Sequence, residues 1–298
     1  MPDERRVDVE RLRELRALRP EAVADAAAAR PRRPLLAAGG RLMLVAADHP
    51  ARNAFAVRDL PMAMGDRSEL LQRLAVALSR PGVDGVLGTA DILEDLLLLG
   101  ALDGRHVFAS MNRGGLAGAS FELDDRFTGY DAESIAMFGY DGGKMLLRVD
   151  LDDDRTAPTL EACARAVSGL ADAGLVAMVE PFLTRRGQDG RLHNDLSVEA
   201  ATTALTVAAA LGHTSAYTWL KVPVIGDGGE DMARVLRATT LPTLLLGGEV
   251  SADPQATYAR WAAALRLPTV RGLVVGRSLL YPPDGDVVGA VDTAAGLL

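Results

Sequence analysis

Eight short apolar runs, most of them ending in glycine or a charged residue, set the tightest limit on what this chain can become. They are RLMLVAAD (41–48), VDGVLG (83–88), HVFASM (106–111), KMLLRVD (144–150), LVAMVEP (175–181), YTWLKVP (217–223), TLLLGG (243–248) and GLVVGR (272–277). Longer amphipathic segments such as SELLQRLAVALSR, TLEACARAVSGLADAG, VEAATTALTVAAALG and PQATYARWAAALR lie between them, with a short last one near DVVGAVDTAAGLL. Runs that are apolar on both faces suit strands covered on both sides, and an alternating strand–helix order suits a parallel sheet. Eight such units predict a closed α/β structure, the (β/α)8 TIM barrel. An open doubly wound sheet would carry a glycine-rich fingerprint after its first strand, and AADHPARNAF has none. The expected organisation is an N-terminal helical extension over residues 1–34 and a barrel over residues 35–298.

Composition narrows the function classes. The chain has 298 residues, 49% of them hydrophobic, and a formal net charge of -8. That acidity disfavours a nucleic acid partner, because binding a phosphate backbone depends on clustered Lys and Arg releasing counterions. The apolar runs are too short for a membrane span, and the first residues, MPDERRVDVERLRELRALRP, hold no apolar signal core. A cytoplasmic protein is expected. The single cysteine, Cys163, sits in a helical pattern and is expected as a small core residue. The four histidines are scattered without metal-ligand spacing, so neither a metal nor another cofactor is expected.

In a barrel of this type, chemistry collects at the C-terminal ends of the strands. The polar residues there are Asp48, Arg148, Asp150, Glu180, Lys221, Gly247 with Gly248, and Gly276 with Arg277. Side chains two apart along a strand share a face. Lys221 therefore lies with Trp219 and Tyr217, Glu180 with Met178 and Val176, and Asp48 with Ala46 and Leu44. Glu180 and Lys221, on neighbouring strands, are expected side by side near the rim. A buried ion pair is often no more stable than an apolar replacement, so its position favours chemistry over structure. An inward lysine can attack a carbonyl and hold the substrate as a protonated imine, an electron sink for breaking an adjacent carbon–carbon bond. A free lysine titrates near 10.4, so only about one in 2,500 is the neutral amine at pH 7. Desolvation and a neighbouring cation, either Arg148 or Lys144, would lower that value, and a carboxyl would carry protons during loss of water.

The segments GGKMLLRVDLDDD, AMVEPFL, TWLKVPV and LLLGGEVS…RGLVVGRSLLY, in that order, resemble the class I aldolases of the tagatose-bisphosphate aldolase type within the deoxyribose-phosphate aldolase superfamily. The resemblance runs from about residue 41 to the C-terminus. It implies that Lys221 forms the imine, that Glu180 is the acid/base, and that Lys144 and Asp48 complete the site. His49 and Pro50 stand where that family has Gln and Arg, with Arg52 the nearest cation. Placement at strand ends points to Arg148 as the tuning cation and the resemblance points to Lys144; both are retained.

Glycines in the loops after the last two strands, Gly247, Gly248 and Gly276, can let backbone amides approach a phosphate, with Arg277 adding a charge-assisted contact. The expected substrate is a phosphorylated open-chain sugar or sugar acid. The overall look is closest to a branch associated with inositol breakdown, which implies cleavage of 5-dehydro-2-deoxy-6-phosphogluconate to dihydroxyacetone phosphate and malonate semialdehyde, by a homo-oligomer. Two other readings use the same barrel. A phosphosugar isomerase or epimerase would lean on Glu180 without a covalent role for Lys221, and a non-catalytic sensor would only bind the sugar phosphate. The stretch NRGGLAGASFELDDRFTGY (112–130) is long for a barrel loop and is expected to be either a lid or a mobile connection.

Overall fold

A computed structural model describes residues 7–36, 40–248 and 250–298. Eight parallel strands close into a barrel: β1 (Leu42–Ala46), β2 (Gly85–Gly88), β3 (His106–Ser110), β4 (Gly142–Val149), β5 (Val176–Arg186), β7 (Thr218–Val222), β8 (Thr243–Leu246) and β9 (Val270–Val275). Each pairs with the next, β5 skips to β7, and the β1–β9 pairing closes the ring. The short strand β6 (Leu192–Asn194) lies outside it and pairs antiparallel with Thr184–Arg186 of β5. The fold is thus the (β/α)8 barrel that the eight apolar runs imply.

Helices follow the strands in the order α3 (Arg67–Ser79), α4 (Ala90–Leu98), α5 (Ala132–Met137), α6 (Thr156–Asp172), α7 (Val198–Ala209), α8 (Glu230–Leu236), α9 (Pro254–Leu265), α10 (Arg277–Leu280) and α11 (Val287–Ala295). Several start where a side chain accepts from the first-turn amides: Asp66 for α3, Asp131 for α5, Ser197 for α7 and Asp253 for α9. Their apolar faces cover the outside of the barrel, and Cys163 is buried in that layer. Burial pushes its thiol up to about 12, which keeps it protonated. Among the described residues no helix is long and apolar enough to cross a membrane.

The barrel interior is a second core, built from Leu42, Leu44, Leu87, Phe108, Met178, Trp219 and their neighbours. Leu35 and Leu36 pack against it. Ahead of them, α1 (Val9–Leu18) and α2 (Ala22–Ala29) rest on the outside, where Arg16 binds Glu94 and Asp95 at 2.9 and 2.8 Å. Arg30 donates to the carbonyls of Arg105 and Gly139, in the loops that enter β3 and β4. Of the expected extension, residues 1–6 lie outside the described residues. One glycine is indispensable to closure: Gly272 has φ +135°, and a Cβ there would stand 1.9 Å from the Leu42 carbonyl oxygen of the adjoining strand.

Candidate active site

Register fixes the heights of the functional side chains. Lys144 is level with Met178, and Met178 with Trp219, so these three form one layer of the barrel. Glu180 and Lys221 come two residues later and occupy the layer above, while Arg148, level with Phe182, stands one layer higher still. The heights alone would leave Lys144 too low. Its stem climbs one layer, and its Nζ lies 2.5 Å from Glu180 Oε2 and 3.1 Å from Asp48 Oδ2. Lys221 Nζ takes the other oxygen, 2.7 Å from Glu180 Oε1. One carboxylate therefore bridges two ammonium groups.

Arg148 is turned to a different task. It binds Glu122, with its Nη2 donating to the Glu122 carbonyl at 2.9 Å, and lies 3.8 Å from Asp125. Glu122 and Asp125 belong to the long loop after β3, and Arg52 grips the same loop through Asp125 and the carbonyls of Asn112 and Gly115. That loop is accordingly held by buried ion pairs. Arg52, the nearest cation to the position where the resembled family has arginine, is spent on holding it, although it still lines the cavity.

Two residues absent from the sequence-based set complete the cluster. Ser110 donates to Asp48 Oδ2 at 3.2 Å, and Arg113 Nη1 lies 3.0 Å from the same oxygen while its Nη2 donates to the Asp48 carbonyl. Arg113 lies three residues past the end of β3 in SMNRGG, and that position was the only trace of it in the sequence.

Three cations, Lys144, Lys221 and Arg113, face two carboxylates, Asp48 and Glu180, all of them buried. Burial lowers the Lys221 pKa below the usual lysine value; Glu180 pulls it up, and Lys144 pushes it down again. Burial alone would raise Glu180, but Lys144 and Lys221 overcome it and bring the carboxyl down to about 2. Asp48 behaves alike, with burial outweighed by Lys144 and Arg113, and sits well below the ordinary carboxylate range. Excess positive charge among buried groups favours discharging one ammonium.

These groups line a cavity of about 820 Å³ that opens at the C-terminal ends of the strands. Gly247, Gly248, Gly276 and Arg277 line the same cavity, as do His49 and, from the β5–β6 hairpin, His193. Gly248 has φ +67°. A Cβ on Gly276 would come within 2.4 Å of the Ala46 carbonyl oxygen, so glycine is required for this close approach. Glu249, in the GGEVS segment, lies outside the described residues. Among the described residues no group of three or more His, Cys, Asp or Glu is arranged to hold a metal ion.

Fold and cavity together define a (β/α)8 barrel with a lysine–carboxylate–lysine cluster at its open end. The chain belongs to the Cgl0159-like family, whose model matches residues 40–295. It is 54% identical to Cgl0159 from Corynebacterium glutamicum, whose crystal structure it matches over 100% of this chain and 97% of that one with a TM-score of 0.93. It also resembles in fold a Schiff base forming fructose-1,6-bisphosphate aldolase, at 18% identity over 92% of this chain and 99% of that one, TM-score 0.65. An archaeal fructose-1,6-bisphosphate aldolase, solved with its catalytic Lys covalently bound to the carbinolamine intermediate of the substrate, is similar at 17% identity over 92% of this chain and 98% of that one, TM-score 0.67. None of the curated proteins matches this chain.

Proposed function

We propose that this protein is a class I aldolase that breaks a carbon–carbon bond in a phosphorylated keto-sugar or keto-sugar acid through an imine on Lys221. The observation that carries the reading is the shared carboxylate: Lys221 Nζ lies 2.7 Å from one oxygen of Glu180 and Lys144 Nζ lies 2.5 Å from the other. A structural ion pair needs one cation, whereas an imine-forming lysine needs a second cation to favour the free amine and a carboxylate to move protons.

In the proposed cycle the neutral amine of Lys221 attacks the substrate ketone. Glu180 relays two protons in turn to the former ketone oxygen, first the one Lys221 gave up on becoming neutral and then the one its nitrogen sheds on addition, so that the oxygen passes through the carbinolamine hydroxyl and departs as water. The iminium then accepts the electron pair of the neighbouring carbon–carbon bond while the hydroxyl on the departing carbon gives up its proton, with Asp48 the carboxylate at that side of the cluster. An aldehyde leaves, and the enamine is protonated and hydrolysed to free the ketone and Lys221. Gly247, Gly248, Gly276 and Arg277 are assigned to the phosphate. The specific reaction proposed is cleavage of 5-dehydro-2-deoxy-6-phosphogluconate to dihydroxyacetone phosphate and malonate semialdehyde, supported by the motifs around Lys221 and Glu180 and by a cavity large enough for a six-carbon chain.

Borohydride reduction of the protein with dihydroxyacetone phosphate tests the covalent step. A stable adduct should form on Lys221 and be absent from Lys221→Ala. Wild-type turnover by Lys221→Ala would refute the mechanism, and an isomerase would turn over its sugar phosphate without leaving any adduct.

A further inference from the structure

Among the groups lining the cavity, His49 is one whose chemistry the cycle above leaves unused. Its ring is wedged between the cluster and the glycine loop: Nδ1 lies 4.0 Å from Asp48 Oδ1, and a Cβ on Gly276 would stand 2.7 Å from Cε1. Among the described residues the buried Nδ1 has no hydrogen-bond partner, and none bonds the other nitrogen, Nε2. The side chain keeps 24% of its surface open, and that surface faces the cavity it helps to line.

The charges around the ring decide its state. Burial is the largest influence and disfavours the imidazolium; Asp48 opposes burial, while Arg277 and Lys221 reinforce it and Glu180 opposes it, leaving the pKa at about 3. The imidazole is therefore neutral at any working pH. A neutral ring carries one N–H and one lone pair. At 4.0 Å the negative charge of Asp48 favours the tautomer with its proton on Nδ1, which leaves the lone pair on Nε2. An acceptor there suits an uncharged donor and repels a second anion. Glycine at 276 is what allows the ring to sit so close to the loop assigned to phosphate, and Asp48 on its other side belongs to the lysine cluster, so a ligand that spans loop and cluster passes the ring.

We propose that His49 is a specificity-determining residue that accepts a hydrogen bond, through Nε2, from a hydroxyl of the substrate adjacent to the reacting carbonyl, selecting α-hydroxyketone phosphates over their deoxy counterparts. This rests on the aldolase reading for the position of the carbonyl. A site that hydrogen-bonds a hydroxyl discriminates strongly against a ligand lacking it, because the site's own polar group is then left unpaired.

Dihydroxyacetone phosphate and hydroxyacetone phosphate differ by that one hydroxyl and serve as probes. In borohydride trapping, the wild type should reach half-maximal adduct at about a tenfold lower concentration of the hydroxylated probe. His49→Leu should abolish the ratio and His49→Gln should keep part of it, since an amide oxygen can still accept. Equilibrium dialysis of both probes with Lys221→Ala makes the same comparison without the covalent bond. Discrimination in dialysis with no adduct in the wild type would sink the imine while leaving the His49 contact standing. An adduct with equal preference for the two probes, or a ratio that survives in His49→Leu, overturns the role of His49, and failure to bind either probe overturns both.

Discussion

Replacing Lys144 by Met isolates the effect of the second cation on the first. Both ammonium groups sit on the same carboxylate, at 2.5 and 2.7 Å from its two oxygens. Nitrogens so placed stand about 5 Å apart, and at an effective dielectric of about 20 their repulsion is roughly 3 kcal/mol, on the order of a hundredfold in the neutral fraction of Lys221. The substitution also leaves Glu180 wholly to Lys221, and an undivided carboxylate favours the charged amine further. Both influences have the same sign. Trapping of dihydroxyacetone phosphate by borohydride at pH 7 should therefore slow by about a hundredfold in Lys144→Met. The deficit should shrink as pH rises, because alkali deprotonates Lys221 in either protein, and Lys144→Arg should retain most of the rate. A deficit of the same size from pH 7 to pH 10, or none at pH 7, would refute the argument that Lys144 acts through the charge on Lys221.

Two further predictions concern stability. Glu180 falls from an ordinary 4.5 to about 2 on folding, so its stabilising contribution is complete above pH 4.5 and disappears as the pH drops through about 2; urea midpoints measured from pH 5 to pH 2.5 should fall steeply in the wild type and less steeply in Glu180→Gln, and equal slopes would contradict the assignment. Removing Arg52 leaves the buried Asp125 with only the more distant Arg148 cation at 3.8 Å, so Arg52→Met should lower unfolding free energy by about 3 kcal/mol, whereas Arg52→Met with Asp125→Leu should recover much of the loss; a double variant no more stable than the single one would show that the pair itself is not responsible.

The barrel was legible because its signal is local: eight runs apolar on both faces can only be covered strands, and their polar ends mark the open face. Glu180 and Lys221 could be paired from strand adjacency alone. Lys144 could not be ranked against Arg148 by counting residues to the strand end, since a long flexible stem lets a side chain act one layer above its Cα. Arg148 ends instead in a latch whose partner Glu122 is 26 residues away, and Arg52 reaches Asp125 across 73. Such pairings leave no periodicity to read. The β5–β6 hairpin was missed for a related reason. The expected strand ended at Pro181, yet the chain continues to Arg186 because RLHN folds back to supply a partner edge. Whether the loop from 112 to 130 was lid or connection also depended on those distant arginines.

Leu35 and Leu36 pack against the interior core, and the cavity that Lys221 lines opens at the C-terminal ends of the strands. In the proposed cycle substrate, water and both products share that mouth, so release would follow a fixed queue: aldehyde out, water in, ketone last.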